Sequence, residues 1–86
     1  MQVLIPSPLL SYTEQQKLVD ASGDTLQALL ADLELQFPGL VFRIVDEQGK
    51  MRPHMRFFVN GEQVLDLSRK LEATDSVQIV QALSGG

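Results

Sequence analysis

The sequence predicts an α+β domain in which a mixed sheet of four to five strands packs on one main helix. Three observations support this prediction. The chain contains one amphipathic helix pattern, a strong hairpin signal at Asn60-Gly61, and an alternating strand pattern over residues 76–82. With 86 residues, we expect a single domain over residues 1–86 with one small core.

The first twenty residues are typical of two short strands that pair with each other. Gln2–Pro6 predicts the first strand, and Pro6 and Pro8 then break regular structure. Leu9–Gln15 is expected to form a polar loop. Gln16–Asp20 predicts a second strand that returns antiparallel to the first.

Apolar side chains then recur with the period of an α-helix. The residues on this face are Leu26, Leu29, Leu30, Leu33 and Phe37. We expect Asp24 to cap the helix by accepting from the free amides of its first turn, with Gln27 in the reciprocal capping position. Pro38 ends the helix because the residue before a proline avoids helical dihedrals. Leu35 lies off the stripe and either widens the buried face or is exposed.

The middle of the chain predicts two more strands and a hairpin. Residues 40–45 fit either a strand or a short helical turn, and residues 46–50 predict a surface turn. Met55–Val59 predicts the third strand. Asn60-Gly61 tolerates the positive φ angles of a type I′ turn, so Glu62–Leu65 is expected to pair back as a short fourth strand.

The last predicted strand, residues 76–82, sets the topology. Because the connection before it is long, this strand can cross over and lie parallel beside the first, which is the arrangement of a β-grasp. Alternation directs Val77 inward and Val80 to the face without the helix. If Phe57 points inward, Phe58 shares that face with Val80, and Arg56 borders them. We expect Phe58, Val80 and Arg56 to dock partner proteins, unless loops cover Phe58.

Composition narrows the function classes. The net charge of −4 argues against nucleic-acid binding, and the absence of cysteine excludes disulfides and thiolate metal sites. No apolar run approaches the about 20 residues of a membrane span, so we expect a cytoplasmic protein without membrane contact. No glycine-rich phosphate loop is present, and the single histidine, His54, is expected at the surface. We therefore predict no catalytic residue and no metal site.

Five segments together resemble the MoaD/ThiS sulfur-carrier family. They are Val3–Pro6, Ser22–Leu26, Phe58–Glu62, Asp75–Val80 and the final Gly85-Gly86. The resemblance covers essentially the whole chain and is closest to the CysO-like branch, which feeds sulfur into cysteine or related metabolites. It implies the ubiquitin-like β-grasp fold and a protein co-substrate without an active site of its own.

The resemblance also implies what happens to Gly86. An E1-like enzyme adenylates its carboxylate with ATP and Mg²⁺, neither of which this chain binds, and a sulfur donor then forms a thiocarboxylate. The acceptor is a synthase, either PLP-dependent or the large subunit of molybdopterin synthase. A processing metalloprotease is implied if further residues once followed Gly86.

The chain end is expected to thread into a partner's active site. We predict a flexible tail over residues 82–86, in which Leu83, Ser84 and Gly85 thread into the partner, and the glycines suit a narrow channel because they have no Cβ. Extended, these five residues reach roughly 17 Å. Alternatives are a small subunit of molybdopterin synthase, a protein modifier joined to lysines through Gly86, an interaction module that never activates its tail, and a frayed end.

Overall fold

The computed structural model describes residues 1–82 and shows, over this range, one five-stranded sheet and three helical segments. The strands are β1 (Gln2–Leu4), β2 (Leu18–Asp20), β3 (Met55–Val59), β4 (Glu62–Val64) and β5 (Ser76–Gln81). The helical segments are the α-helix α1 (Leu26–Gln36) and two 3₁₀ helices, Ser7–Thr13 and Val41–Arg43. None of the helices within residues 1–82 has the length and apolarity that crossing a membrane requires.

The order of the strands across the sheet is β2-β1-β5-β3-β4. The two central strands, β1 and β5, run parallel, with Gln2 aligned to Ser76 and Leu4 to Gln78. The other three pairs are antiparallel. A parallel β1–β5 pair with β2 antiparallel on one side and the β3–β4 hairpin on the other is the predicted β-grasp, and the prediction is confirmed. Because β1 and β5 are parallel, their carboxyl ends meet at one edge of the domain, where β3 begins.

The core lies between the sheet and α1. β3 buries Met55, Phe57 and Val59, and β5 buries Val77 and Ile79, each at alternate positions. The helix adds the buried set Leu26, Leu29, Leu30 and Leu33. Each fully buried leucine contributes about 1.5–3 kcal/mol of hydrophobic stabilisation. Leu35 is 83% exposed, so the buried face is not widened there.

The start of α1 differs from the prediction. The N-cap is Thr25, whose Oγ1 accepts a hydrogen bond from the Ala28 amide at 3.1 Å, and the predicted cap at Asp24 is wrong. The Asp24 carbonyl instead accepts from the Leu71 amide at 2.8 Å, which ties this residue to the loop after β4. Gly23 lies so close to the helix that a Cβ there would overlap the backbone of Ala28 and Leu29. Tertiary contacts therefore set where the helix begins.

The stretch after β1 is ordered rather than a polar loop. Ser7–Thr13 forms a 3₁₀ helix that buries Leu9 and Thr13. The Thr13 hydroxyl donates to the Gln16 carbonyl at 2.8 Å, so its burial leaves no polar atom unsatisfied. A proline near the start of a helix costs no hydrogen bond, and Pro8 stands in that position.

The remaining differences concern short segments and strand ends. The ambiguous residues 40–45 contain the 3₁₀ helix Val41–Arg43, so the helical alternative is right. At the hairpin, Asn60 and Gly61 have φ angles of 51° and 84°, as predicted. Four strand ends fall one or two residues inside the predicted bounds. For β1, pairing continues past its end through a hydrogen bond from the Ile5 amide to the Lys17 carbonyl at 2.7 Å.

Candidate functional site

The carboxyl end of β5 is held against the start of β3. Gln81 is aligned with Met55, and the Ala82 amide donates to the His54 carbonyl at 2.7 Å. We call Gln81 and Ala82 the tail root. The predicted site residues Leu83, Ser84, Gly85 and Gly86 lie outside the described residues. The structure thus defines the point from which these four residues depart.

The three predicted docking residues share one face of the sheet, as expected. In the β3–β5 register Arg56 is aligned with Val80, and Phe58 is aligned with Gln78. Arg56, Phe58 and Val80 are each partly exposed, whereas the residues between them are buried. This face is turned away from α1 because Phe57 and its buried neighbours face the core. A docking role for the three residues stays a prediction.

Arg56 is oriented by its own strand. Its Nη1 donates to the carbonyl oxygens of Pro53 at 2.5 Å and Met55 at 2.9 Å. These bonds hold the guanidinium at the border of the face, beside β3. That Arg56 frames a docking patch stays a prediction.

Sequence reasoning missed two leucines on this face. Leu4 and Leu18 are aligned across β1 and β2, and they are 37% and 52% exposed. Leu4 is also aligned with Gln78, which is in turn aligned with Phe58, so the row crosses four strands. We call Leu4, Leu18, Arg56, Phe58 and Val80 the outer face. The alternation of Val3, Leu4 and Ile5 was the sequence signal that could have placed Leu4 there.

The titratable groups with perturbed pKa values lie in turns. A backbone hydrogen bond from Glu72, and a second from the Asn60 side chain, lower the pKa of Asp75. Backbone and hydroxyl hydrogen bonds from Ser68 lower the pKa of Asp66. These carboxylates therefore stabilise turns by accepting hydrogen bonds. Over residues 1–82, no group of three or more His, Asp or Glu side chains is arranged to hold a metal ion.

Comparison with known proteins gives the family. The model of the ThiS family matches residues 3–86. This chain belongs to the ThiS family. The curated sulfur carrier protein CysO of Mycobacterium tuberculosis is 39% identical over 89 residues, covering 98% of this chain and 96% of that protein. The predicted family, its CysO-like branch and the function class of a sulfur carrier are confirmed by this relationship.

Solved structures agree with the family. The crystal structure of Mycobacterium tuberculosis CysO has a TM-score of 0.89 at 38% identity and covers 95% of this chain and 98% of its own. CysO in the Amycolatopsis orientalis BexX/CysO complex has a TM-score of 0.91 at 31% identity, covering 99% and 98%. SAMP1 from Haloferax volcanii has a TM-score of 0.80 at 26% identity, covering 100% and 98%.

Proposed function

We propose that this chain is a sulfur carrier whose Gly86 carboxylate is adenylated, converted to a thiocarboxylate and used as a sulfide donor. The product is cysteine or another sulfur-containing metabolite. The single observation that supports this most is the family match, which extends to residue 86 and so includes Gly85-Gly86. In this role the chain is a small substrate-like carrier, and we propose that it has no active site of its own.

The chemistry requires activation because the resting group is unreactive. A C-terminal carboxylate has a pKa of about 3.3–3.7 and is ionised at neutral pH, which makes it a poor acceptor for sulfur. Its oxygen attacks the α-phosphorus of ATP and pyrophosphate leaves, giving an acyl-adenylate. A sulfur nucleophile then attacks the acyl carbon and AMP leaves. The resulting thiocarboxylate sulfur is itself a nucleophile toward an activated substrate.

The tail root supports this mechanism by fixing where the tail begins. The hydrogen bond between Ala82 and His54 holds the chain at the surface of the domain. Four residues follow Ala82 in the sequence, and a fully extended chain of that length spans at most about 14 Å. Gly86 can therefore enter a channel of this depth while the sheet stays outside. A side chain at Gly85 or Gly86 would leave less space between the tail and the channel wall. Misplacing the carboxylate by 1 Å can cost about 100-fold in rate.

Two kinds of partner follow from the chemistry. An E1-like enzyme supplies ATP and Mg²⁺ for adenylation, and this chain binds neither. An acceptor synthase, PLP-dependent or of the molybdopterin synthase type, consumes the sulfur, and a processing metalloprotease acts only if Gly86 has to be exposed. The similar CysO protein of Amycolatopsis orientalis has been solved in complex with BexX, which supports the association of this chain with a partner protein. We place these steps in the cytoplasm.

The outer face is the proposed docking surface for these enzymes. Val80 is one residue before the tail root, and Arg56 is aligned with it on β3. An enzyme that takes in the tail to its full length therefore comes to lie beside these residues. Partly exposed Phe58 and the exposed leucines Leu4 and Leu18 then offer apolar anchors of the kind that dominate interface energies.

The proposal is tested by carrier-dependent exchange between ATP and pyrophosphate, catalysed by the E1-like enzyme of the source organism. We expect exchange with the full chain and none after deletion of Gly85-Gly86. Replacing Leu35, which is 83% exposed on α1, with alanine is the matched control and should leave exchange unchanged. Equal exchange with and without the two glycines would refute the proposal.

A second candidate is a protein modifier, because SAMP1, a small archaeal modifier protein, is similar at a TM-score of 0.80 and 26% identity. The same adenylate would then be attacked by lysine amines of other proteins. Peptides that carry the tail's carboxyl end on a lysine side chain, found in cells expressing the chain, would support this role. Their absence in cells that contain the thiocarboxylate form would favour the carrier.

A further inference from the structure

A basic cluster surrounds the tail root, although the chain as a whole is acidic. Three of its four arginines, Arg43, Arg52 and Arg56, fall in the segment that leads into β3 or on β3 itself. A cleft of about 390 Å³ lies against the tail root and is lined by Phe42, Arg43, Arg52, His54 and Gln81, together with Pro8 and Leu9. We call it the basic cleft. Its charge opposes the net charge of −4.

The arginines of the basic cleft are held in place before any ligand arrives. Arg52 Nε donates to the Phe42 carbonyl at 2.8 Å, and its guanidinium carbon lies 4.7 Å from the centre of the Phe42 ring. The Arg43 guanidinium lies 5.8 Å from the centre of the Tyr12 ring. A guanidinium has five N–H donors, and the Phe42 carbonyl uses one of those of Arg52. The cleft therefore offers oriented donors for an anion.

These arginines are not neutralised by ion pairs within the described part of the chain. The pairs found over residues 1–82 join the amino terminus to Asp20 at 3.3 Å and Arg69 to Glu62 at 3.9 Å. The Asp46 carboxylate is close enough to Arg52 for a Coulombic attraction. Its Oδ1, however, already accepts hydrogen bonds from the Gln48 and Lys50 amides at 2.9 Å each. The positive charge of Arg43 and Arg52 is thus available to a partner.

The opposite edge of the sheet carries two carboxylates that are partly balanced by positive groups, since the amino terminus lies 3.3 Å from Asp20 and Arg69 acts on Asp75. Asp20 ends β2 there and Asp75 precedes β5, whereas the cleft lies at the edge where β5 ends.

We propose that the basic cleft binds an acidic strip that borders the tail entrance of the adenylating enzyme. This inference rests on the proposed function and deepens it. The adenylating enzyme is the occupant because the tail must be activated before any acceptor can use it. Arginine guanidinium groups match carboxylates in charge and in paired hydrogen-bond geometry. Arg52 also borders the groove next to Arg56, so the cleft continues directly into the outer face.

The experiment measures KM and kcat of carrier-dependent ATP–pyrophosphate exchange for Arg43→Gln/Arg52→Gln and for the matched control Arg69→Gln. At about 0.05 M salt we expect KM for the double variant to rise about tenfold with kcat unchanged, because a rim charge governs association. At about 0.5 M salt, where the Debye length is below about 5 Å, the difference should shrink below about twofold. Arg69→Gln should match the wild type at both salt concentrations.

Far-UV circular dichroism and thermal melting establish whether each variant is folded. If the double variant fails to fold, the single variant Arg43→Gln carries the test. The Arg43 guanidinium packs on the Tyr12 ring, whereas that of Arg52 also donates a hydrogen bond to the Phe42 carbonyl. An unchanged KM, a salt-independent change, or an equal change in Arg69→Gln overturns the inference while leaving the proposed function intact. If the wild-type chain supports no exchange at all, the proposed function fails and the inference falls with it.

Discussion

Strand β3 carries two neighbouring phenylalanines whose surroundings differ completely. Phe57 is fully buried against the helix side of the sheet, whereas Phe58 points to the outer face and remains partly exposed. The same type of side chain packs in the core at one position and is accessible to partner proteins at the other. Because β3 alternates strictly, neither residue can exchange its role with the other without a shift of register. One strand thus separates the requirements of stability from those of recognition.

The largest expected effect is on stability and comes from the buried member of the pair, Phe57. Phe57→Ala should lower the free energy of unfolding by about 3–5 kcal/mol, because it removes a large side chain and leaves a cavity. Phe58→Ala is the matched control and should cost about 1 kcal/mol or less, as expected for a partly exposed site. Urea titration measures both values. If Phe57→Ala is unfolded in water, Phe57→Leu replaces it, with an expected cost of about 1.5 kcal/mol.

Equal losses for the alanine variants of Phe57 and Phe58 would contradict the assignment of the two faces. A larger loss for Phe58→Ala would do so more strongly, since it would place Phe58 in the core.

The next largest effect is on partner binding and comes from the exposed member of the pair, Phe58. Phe58→Ala should raise KM for carrier-dependent ATP–pyrophosphate exchange about tenfold, corresponding to about 1.4 kcal/mol of lost binding, while kcat stays the same. Leu35→Ala controls for the loss of an exposed apolar side chain elsewhere, since Leu35 is 83% exposed on α1. An unchanged KM for Phe58→Ala would show that the outer face does not dock the adenylating enzyme.

The smallest effect concerns Asp75, in the turn that precedes β5, which accepts hydrogen bonds from the Glu72 amide and the Asn60 side chain. The pKa of Asp75 is lowered by hydrogen bonds, so its carboxylate contributes stability above the unfolded-state pKa of about 3.9 and loses it as pH falls through the folded-state value. Asp75→Asn should therefore flatten the decline of unfolding free energy between about pH 5 and pH 3. Glu47→Gln makes the same charge change in a surface turn and is the control. If the unfolding free energy of Asp75→Asn declines with falling pH as steeply as that of the wild type, Asp75 does not stabilise the fold in this way.

The parts of the fold that the sequence predicted are those governed by local pattern. The leucine period of α1, the alternation of β5 and the positive φ angles at Asn60-Gly61 each follow from a few neighbouring residues. The fold class followed from the order of these patterns, and the family followed from the resemblance of several sequence segments to its known members. The helix cap was predicted one residue too early: Thr25 caps the helix, and the Asp24 carbonyl accepts a hydrogen bond from the distant Leu71 amide.

The candidate site was predicted in part for the same reason. Arg56, Phe58 and Val80 follow from strand alternation, and the structure places them on one face. Leu18 and the basic cleft depend on which distant segments meet. The turn over residues 46–50, with Val45 paired to Met51, brings Arg43 and Arg52 near each other, whereas Pro8, Leu9 and Gln81 reach the cleft from segments that are distant in sequence.

The central claim is that Gly86 carries sulfur, and the most direct measurement is the mass of the carboxyl-terminal peptide. The chain is co-expressed with its adenylating enzyme and a sulfur source, and the intact protein and its terminal peptide are weighed. We predict that one oxygen is replaced by sulfur, that the change is confined to the peptide ending in Gly85-Gly86, and that it is absent when the adenylating enzyme is omitted. A carboxylate that stays unchanged in the presence of an active adenylating enzyme would contradict the account.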